Sequence, residues 1–198
     1  MTGDAGDAER TGILAGIVRR MGSSLATALE FALVSSLSFS LALFISSVTP
    51  SYGDLQMVGA MWAMISGIIV TQDTRSQTIT TAWFRVLGSL IGAVFSALYL
   101  IFFPFSIVGL GLLIGIVVFT CLLLRLPGHL RLAALTAGIV LIISAQNPEI
   151  PPFVNAAHRF LEVIIGSTVA VATAFVWQYF SIRPRVTGPA DSAGKKET

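Results

Sequence analysis

Charged residues are scarce in this chain, since they make up only 11% of its 198 residues. Soluble domains carry about 25% charged residues, and a soluble fold of this length would lack the polar surface to cover its core. Hydrophobic residues make up 55% of the chain, and its mean hydropathy is +0.85. The composition therefore predicts an all-α integral membrane protein.

Residue types that support other functions are also rare. The net charge is only +2, and the basic residues are scattered, which argues against a nucleic-acid partner. The single cysteine, Cys121, cannot form an intrachain disulfide. His129 and His158 have no neighbours at metal-ligand spacing, and no recognisable motif places a nucleophile beside a base. We therefore expect neither a metal nor a cofactor, and no enzymatic activity.

Six apolar runs follow one another, each close to the length of about 20 residues that an α-helix needs to span a bilayer. Prolines and glycines between the runs indicate helix ends. The predicted spans are residues 25–48, 55–71, 83–103, 107–126, 130–145 and 154–180. The predicted domains are a cytoplasmic segment (1–20), a six-helix transmembrane domain (21–182) and a disordered cytoplasmic tail (183–198).

The basic residues also predict the orientation of the chain, because cytoplasmic loops carry an excess of Lys and Arg. If the N-terminus is cytoplasmic, ten of the 12 basic residues lie in inside segments. Arg85 then lies at the inner end of the third span, and only Arg159 lies at an outer end. Both termini are therefore predicted to be cytoplasmic.

Two of the apolar helices begin with an arginine and share a spacing of small residues. Arg85 opens RVLGSLIGAVFSA, and Arg159 opens RFLEVIIGSTVAVATA. Small residues let helices pack closely, so the residues at these matched offsets are predicted to be packing positions: Gly88, Gly92, Gly166 and Ala170.

A second pair of similar segments precedes the arginines. ISGIIVTQ (65–72) lies before Arg85, and TAGIVLII (136–143) lies before Arg159. Three spans per half is an odd number, so the second half must be inverted relative to the first, as in many transporters. The sequence predicts a 3+3 inverted repeat, with chance similarity between apolar helices as the alternative.

A charge at a membrane helix is costly, and it is usually there for function. Arginine is a fixed cation that binds a carboxylate through two hydrogen bonds. Arg85 could instead extend to the lipid headgroups from a helix end. Arg159 and Glu162 are three residues apart and could form a purely structural ion pair. Alternatively, a substrate anion competes with Glu162, whose protonation releases Arg159. Glu30 is either a second proton site or a partly wetted interfacial acid.

The segment MWAMISGIIVTQDTRSQTITTAWFRVLGSLIGAV (61–94) resembles the fusaric acid resistance and aromatic acid exporter superfamily. RFLEVIIGSTVA (159–170) resembles the last membrane helix of that family. Plant aluminium-activated malate channels are distantly similar over the same spans. The residues that carry the first match are Trp62, Ala63, Gln72, Thr78, Arg85, Gly88, Ser89 and Gly92.

The resemblance implies a multi-pass protein of the bacterial inner membrane that exports organic, aromatic carboxylates. Its expected partners are a small organic anion, the lipid bilayer and a second copy of the chain in a homodimer. Proton coupling would use Glu162 and Glu30. Two alternatives remain open: a passive anion channel, and a membrane-embedded assembly module that transports nothing. The predicted substrate-binding residues are Arg85, Arg159, Gln72, Thr78 and Trp62.

Overall fold

The computed structural model describes residues 4–48 and 55–179, and these ranges contain six α-helices and no β-strand. The predicted disordered tail, residues 183–198, lies outside them. The helices are α1 (Asp4–Ser47), α2 (Gln56–Val70), α3 (Arg75–Phe102), α4 (Ile107–Leu123), α5 (Leu130–Gln146) and α6 (Pro152–Tyr179).

Three helices of the described ranges are long and apolar enough to cross a membrane: Gly16–Ser47, Arg75–Phe102 and Pro152–Trp177. The other three, α2, α4 and α5, are apolar but only 15, 17 and 17 residues long. The chain is therefore an all-helical multi-pass membrane protein, while six crossings and cytoplasmic termini stay predictions.

Two helices begin earlier than the hydropathy of the sequence indicates. The side chain of Thr74 accepts a hydrogen bond from the Gln77 backbone amide and caps α3. The helix therefore starts eight residues before the predicted start at Trp83. Arg85 consequently lies about 15 Å inside α3, so its predicted position at a helix end is wrong. Likewise, α1 begins at Asp4, so the boundary predicted after residue 20 falls within a helix.

The end of α4 has a defined backbone geometry. The amide of Leu126 donates to the Cys121 carbonyl, and the amide of Arg125 donates to that of Leu122. Arg125 has a φ of 57°, in the left-handed region. This is the Schellman pattern that terminates a helix. It ends α4 at Leu123, before the predicted end at residue 126.

Residue contacts give the relative directions of the central helices. The Arg75 guanidinium lies 3.3 Å from the Phe175 ring centroid, whereas Ala93 packs in one cluster with Ala156, so α3 and α6 are antiparallel. Gly88 faces the carbonyl of His129, and Gly92, further along α3, faces residues of the next turns of α5. Helices α3 and α5 therefore run parallel.

The second half repeats the packing of the first. Helix α3 packs mainly against α5 and α6, and α6 packs mainly against α3 and α2. Helix α2 packs against α1, as α5 packs against α4. The contacts between helices therefore stay the same when α1, α2 and α3 are replaced by α4, α5 and α6, and the reverse. Because the exchanged helices α3 and α6 are antiparallel, the relation fits a two-fold axis across them, as expected for an inverted repeat.

The close helix crossings give the register of this repeat. A Cβ atom on Gly166 would meet the Ala63 carbonyl and the Gly67 amide, and one on Gly92 would meet the corresponding atoms of Ala133 and Ala137. The equivalent of Gly67 is therefore Ala137, 70 residues later. The sequence match had paired Gly67 with Gly138, which is wrong by one residue. A Cβ on Gly138 would make only ordinary contacts, at 3.8 Å or more.

Candidate functional site

A small space lies where α2, α3, α5 and α6 meet, and both repeat arginines line it. We call it the arginine cavity. Its volume is about 10 Å³, which is about the space of one water molecule. The lining residues are Trp62, Arg85, Thr136, Ile139, Arg159, Glu162 and Val163.

Arg85 is only 1% exposed, so the interpretation that it extends to the lipid headgroups is wrong. Its Nη2 donates a hydrogen bond to Ser66 Oγ at 3.1 Å. Its Nε and Nη1 have no hydrogen-bond partner among the described residues. Burying a guanidinium with unused donors costs free energy unless a hydrogen-bonding anion compensates it. The site thus presents unused donors beside a cavity.

Arg159 and Glu162 form the ion pair that their spacing predicts. Arg159 Nη2 lies 2.6 Å from Glu162 Oε1, and the two side chains are 3% and 1% exposed. Within residues 4–48 and 55–179, Glu162 Oε2 accepts no hydrogen bond. With all three groups ionised, two arginines and one carboxylate give the cavity an excess of positive charge. An apolar surrounding strengthens the attraction of that charge for an anion.

Two hydroxyl residues of the site are absent from the sequence prediction. Ser66 accepts from Arg85 and donates to the Trp62 carbonyl at 2.8 Å. Thr136 donates to Ser89 Oγ at 3.0 Å. Ser66 and Thr136 are 70 residues apart, so they are equivalent in the repeat. Shifting the sequence match by one residue would have aligned them.

Two predicted binding residues lie outside the arginine cavity. The backbone amide of Gln72 donates to Thr78 Oγ1 at 3.1 Å. The side-chain Nε2 of Gln72 donates to the Ile69 carbonyl at 3.1 Å. The first bond connects the turn after α2 to the first turn of α3, and the second lies at the end of α2. They stabilise the turn between the helices, and a substrate-binding role for Gln72 or Thr78 stays a prediction.

Glu30 also lies outside the arginine cavity. It is 2% exposed on α1, so it is not a partly wetted acid. One turn further along, Val34 packs with Val70 and Ala170. Glu30 is thus a buried acid on α1, and its predicted role in proton transfer stays a prediction.

The predicted packing positions lie at or beside close contacts between helices. A Cβ atom on Gly88 would lie 2.8 Å from the His129 carbonyl oxygen, and those on Gly92 and Gly166 would overlap backbone atoms of α5 and α2. Ala170 is buried in the cluster with Val34 and Val70. These crossings bring α3 close to α5 and α6 close to α2.

The described residues contain no group of three His, Cys, Asp or Glu side chains that could hold a metal ion. No curated protein and no solved structure matches the chain. The profile of the fusaric acid resistance protein-like family matches residues 41–173, which extend from the second half of α1 into the last turns of α6. The chain therefore belongs to this family of membrane transporters, as the resemblance of its arginine-containing segments predicted.

Proposed function

We propose that the chain carries an organic carboxylate across the bacterial inner membrane, and that the anion binds between Arg85 and Arg159. The observation that supports this most is the buried Arg85 guanidinium, whose Nε and Nη1 have no partner in the described part of the chain. A carboxylate has the charge and the acceptor oxygens that such a group lacks.

Glu162 gives the site a way to exchange ligands. An incoming carboxylate competes with Glu162 for Arg159, and protonation of Glu162 favours the substrate because a neutral acid binds the guanidinium more weakly. Proton binding and anion binding are then linked at one position. Trp62, on the cavity wall, offers an apolar ring against which an aromatic body can pack.

The small volume of the arginine cavity favours a carrier over an open pore. About 10 Å³ cannot hold an organic anion, so the central helices must separate to admit one. Six membrane crossings, cytoplasmic termini and a homodimer complete the proposal. In that orientation the membrane potential, negative inside, drives anions outward by about 2.3 kcal/mol per charge per 100 mV.

The test is flux of labelled phthalate, an aromatic dicarboxylate, in proteoliposomes with the membrane potential clamped at zero. Arg85→Met is expected to lower the flux at least tenfold. Arg131→Met, which removes an exposed arginine on α5, is the control and is expected to keep it. Full flux in Arg85→Met would overturn the proposal.

The alternatives give different results in the same vesicles. A carrier accumulates phthalate against its gradient when a pH gradient is imposed, and Glu162→Gln abolishes this accumulation. A channel carries only downhill flux, which Glu162→Gln leaves unchanged. An assembly module carries no anion, and it purifies with a stoichiometric partner protein.

A further inference from the structure

A second, larger space lies at one end of the helices, between the ends of α3 and α5 and the start of α6. We call it the vestibule; its volume is about 430 Å³. Its lining side chains are apolar apart from that of Ser144. The lining residues are Leu100, Pro104, Phe105, Ser144, Ala145, Pro148, Ile150 and Pro152.

Asn155 lies between the vestibule and the arginine cavity. It is one turn from Arg159 along α6, and less than one turn from Pro152 of the vestibule. Its Nδ2 donates to Ser144 Oγ at 2.7 Å and to the Val140 carbonyl at 3.1 Å. The side chain is 1% exposed, and its Oδ1 accepts no hydrogen bond from any described residue.

The remaining barrier between the two spaces consists of small or aliphatic side chains, which we call the upper layer. Its members are Ala93, Ala97, Leu100, Val140 and Ala156. Because these side chains are small or aliphatic, the layer contains no bulky aromatic group that would block an anion moving between the two spaces. Side-chain donors beside it include the Asn155 amide and the Ser144 hydroxyl. The buried Ser96 hydroxyl also lies there, and it bonds to the carbonyls of Gly92 and Ala137.

The repeat supplies a matching layer on the other side of the arginine cavity. It contains Val70, Ala82 and Val171, which are the repeat equivalents of Val140, Ala156 and Ala97. The position equivalent to Asn155 is Thr81, which is half-buried. The two layers therefore have apolar residues at equivalent positions. They differ at the neighbouring position, where the upper layer has the buried amide of Asn155 and the other has Thr81.

We infer that Asn155 and Ser144 form a second carboxylate-binding station, which receives the anion as it passes between the arginine cavity and the vestibule. This inference rests on the proposed function. A carboxylate that leaves Arg159 needs donors on its way, because an unsolvated anion in an apolar layer is costly. The amide N–H groups and the hydroxyl supply them. They are neutral, so they bind the anion more weakly than a guanidinium and let it leave.

The same hydrogen bonds close the path when no anion is there, because the Asn155 amide then bonds to Ser144 and to the Val140 carbonyl. Asn155 is therefore expected to govern passage, whereas Arg85 governs binding. Two measurements separate these roles: phthalate flux in proteoliposomes, and equilibrium binding of phthalate to the detergent-solubilised chain.

Asn155→Leu is expected to bind phthalate within about twofold of the parent and to lower the flux at least tenfold. Arg85→Met is expected to lose both. Asn147→Leu is the matched control, because Asn147 is also bonded through Nδ2 to a carbonyl of α5, that of Ile143, and is expected to keep both.

If Asn155→Leu aggregates on size exclusion, the inference is tested with two milder variants, the near-isosteric Asn155→Asp and the smaller change Ser144→Ala. Asn155→Asp replaces the donors with an acid and is expected to lower the flux as strongly, and Ser144→Ala is expected to lower it severalfold. Parent flux in the folded Asn155 variants, with Arg85→Met inactive, would overturn the inference and leave the proposed function intact. Loss of phthalate binding in folded Asn155 variants would also overturn it.

Discussion

Arg85 and Arg159 occupy equivalent positions in the two halves of the molecule, but only Arg159 has a carboxylate one turn later. The position equivalent to Glu162 is Gly88. A side chain at residue 88 would collide with the His129 carbonyl, since a Cβ would lie only 2.8 Å from it. Helix packing therefore excludes an acid beside Arg85. In the second half Gly166 makes the close approach that Gly92 makes in the first, and Glu162 lines the cavity.

The presence of a carboxylate in only one half gives the two equivalent arginines different electrostatic environments. Within the described ranges, Arg85 bonds only to the neutral Ser66, whereas the charge of Arg159 is balanced by Glu162. In the proposed function, the first arginine attracts the anion and the second exchanges it.

The largest effect is expected from breaking the helix crossing that the two halves share. Gly166→Leu places a side chain on the backbone of α2 at Ala63, and Gly92→Leu does the same on α5 at Ala133. Both variants are expected to abolish the monodisperse peak on size exclusion. Gly115→Leu is the control, because a Cβ at Gly115 has no atom within 4 Å. A folded Gly92→Leu beside an aggregated Gly166→Leu would contradict the equivalence of the crossings.

The next effect is expected from making the second half resemble the first. Glu162→Ala removes the carboxylate from Arg159, and breaking a buried ion pair on one side costs about 3–5 kcal/mol. We expect a lower midpoint of thermal unfolding in detergent, and a larger rise of that midpoint on adding phthalate than in the parent. An equal phthalate-dependent shift in parent and variant would argue against competition between Glu162 and the anion.

A smaller effect is expected from removing the neutral partner of Arg85. Ser66→Ala deletes the acceptor of its Nη2 bond, and a lost hydrogen bond to a charged group costs about 1.5–3 kcal/mol. The thermal midpoint is expected to fall, by less than in Glu162→Ala. Ser47→Ala removes an exposed hydroxyl that bonds only within α1, and it is expected to change nothing measurable. A Ser66→Ala midpoint equal to the parent's would show that Arg85 does not depend on this serine.

The smallest effect concerns the link between α4 and α5 in the second half. Arg125 adopts a left-handed conformation that glycine adopts without the steric cost of a Cβ, about 1–2 kcal/mol. Arg125→Gly is expected to raise the thermal midpoint slightly, whereas Arg131→Gly, inside α5, is expected to lower it. A fall in Arg125→Gly would mean that the Arg125 side chain contributes more than its backbone geometry costs.

Local features of the sequence were enough to predict the family, the helical membrane fold and the Arg159–Glu162 pair. The i, i+3 spacing and the small-residue offsets are properties of one helix, so they can be read without knowledge of its neighbours. The start of α3 was missed, because polar residues such as Gln77 reduce the hydropathy without interrupting the helix.

Contacts between helices were much less accessible. The register of the repeat depends on which α5 residue meets Gly92, and two adjacent small residues, Ala137 and Gly138, fit the sequence equally well. Asn155 and Ser144 are 11 residues apart on different helices, and nothing in the sequence near either residue indicates their hydrogen bond. Pairings of this kind follow from the tertiary arrangement alone.

The interlocked packing of the two halves also has a consequence for biosynthesis. Because α2 and α3 find much of their packing surface on α6, the half that is synthesised first lacks those partners until the last helix has left the ribosome. Ser66 and Trp62 on α2 and Thr136 on α5 precede α6 in the chain, but the wall that carries Arg159 and Glu162 is added only at that moment. A chain that stops before α6 therefore leaves Arg85 with its Ser66 bond but without the α6 wall of its cavity, so the arginine loses part of its protein surroundings.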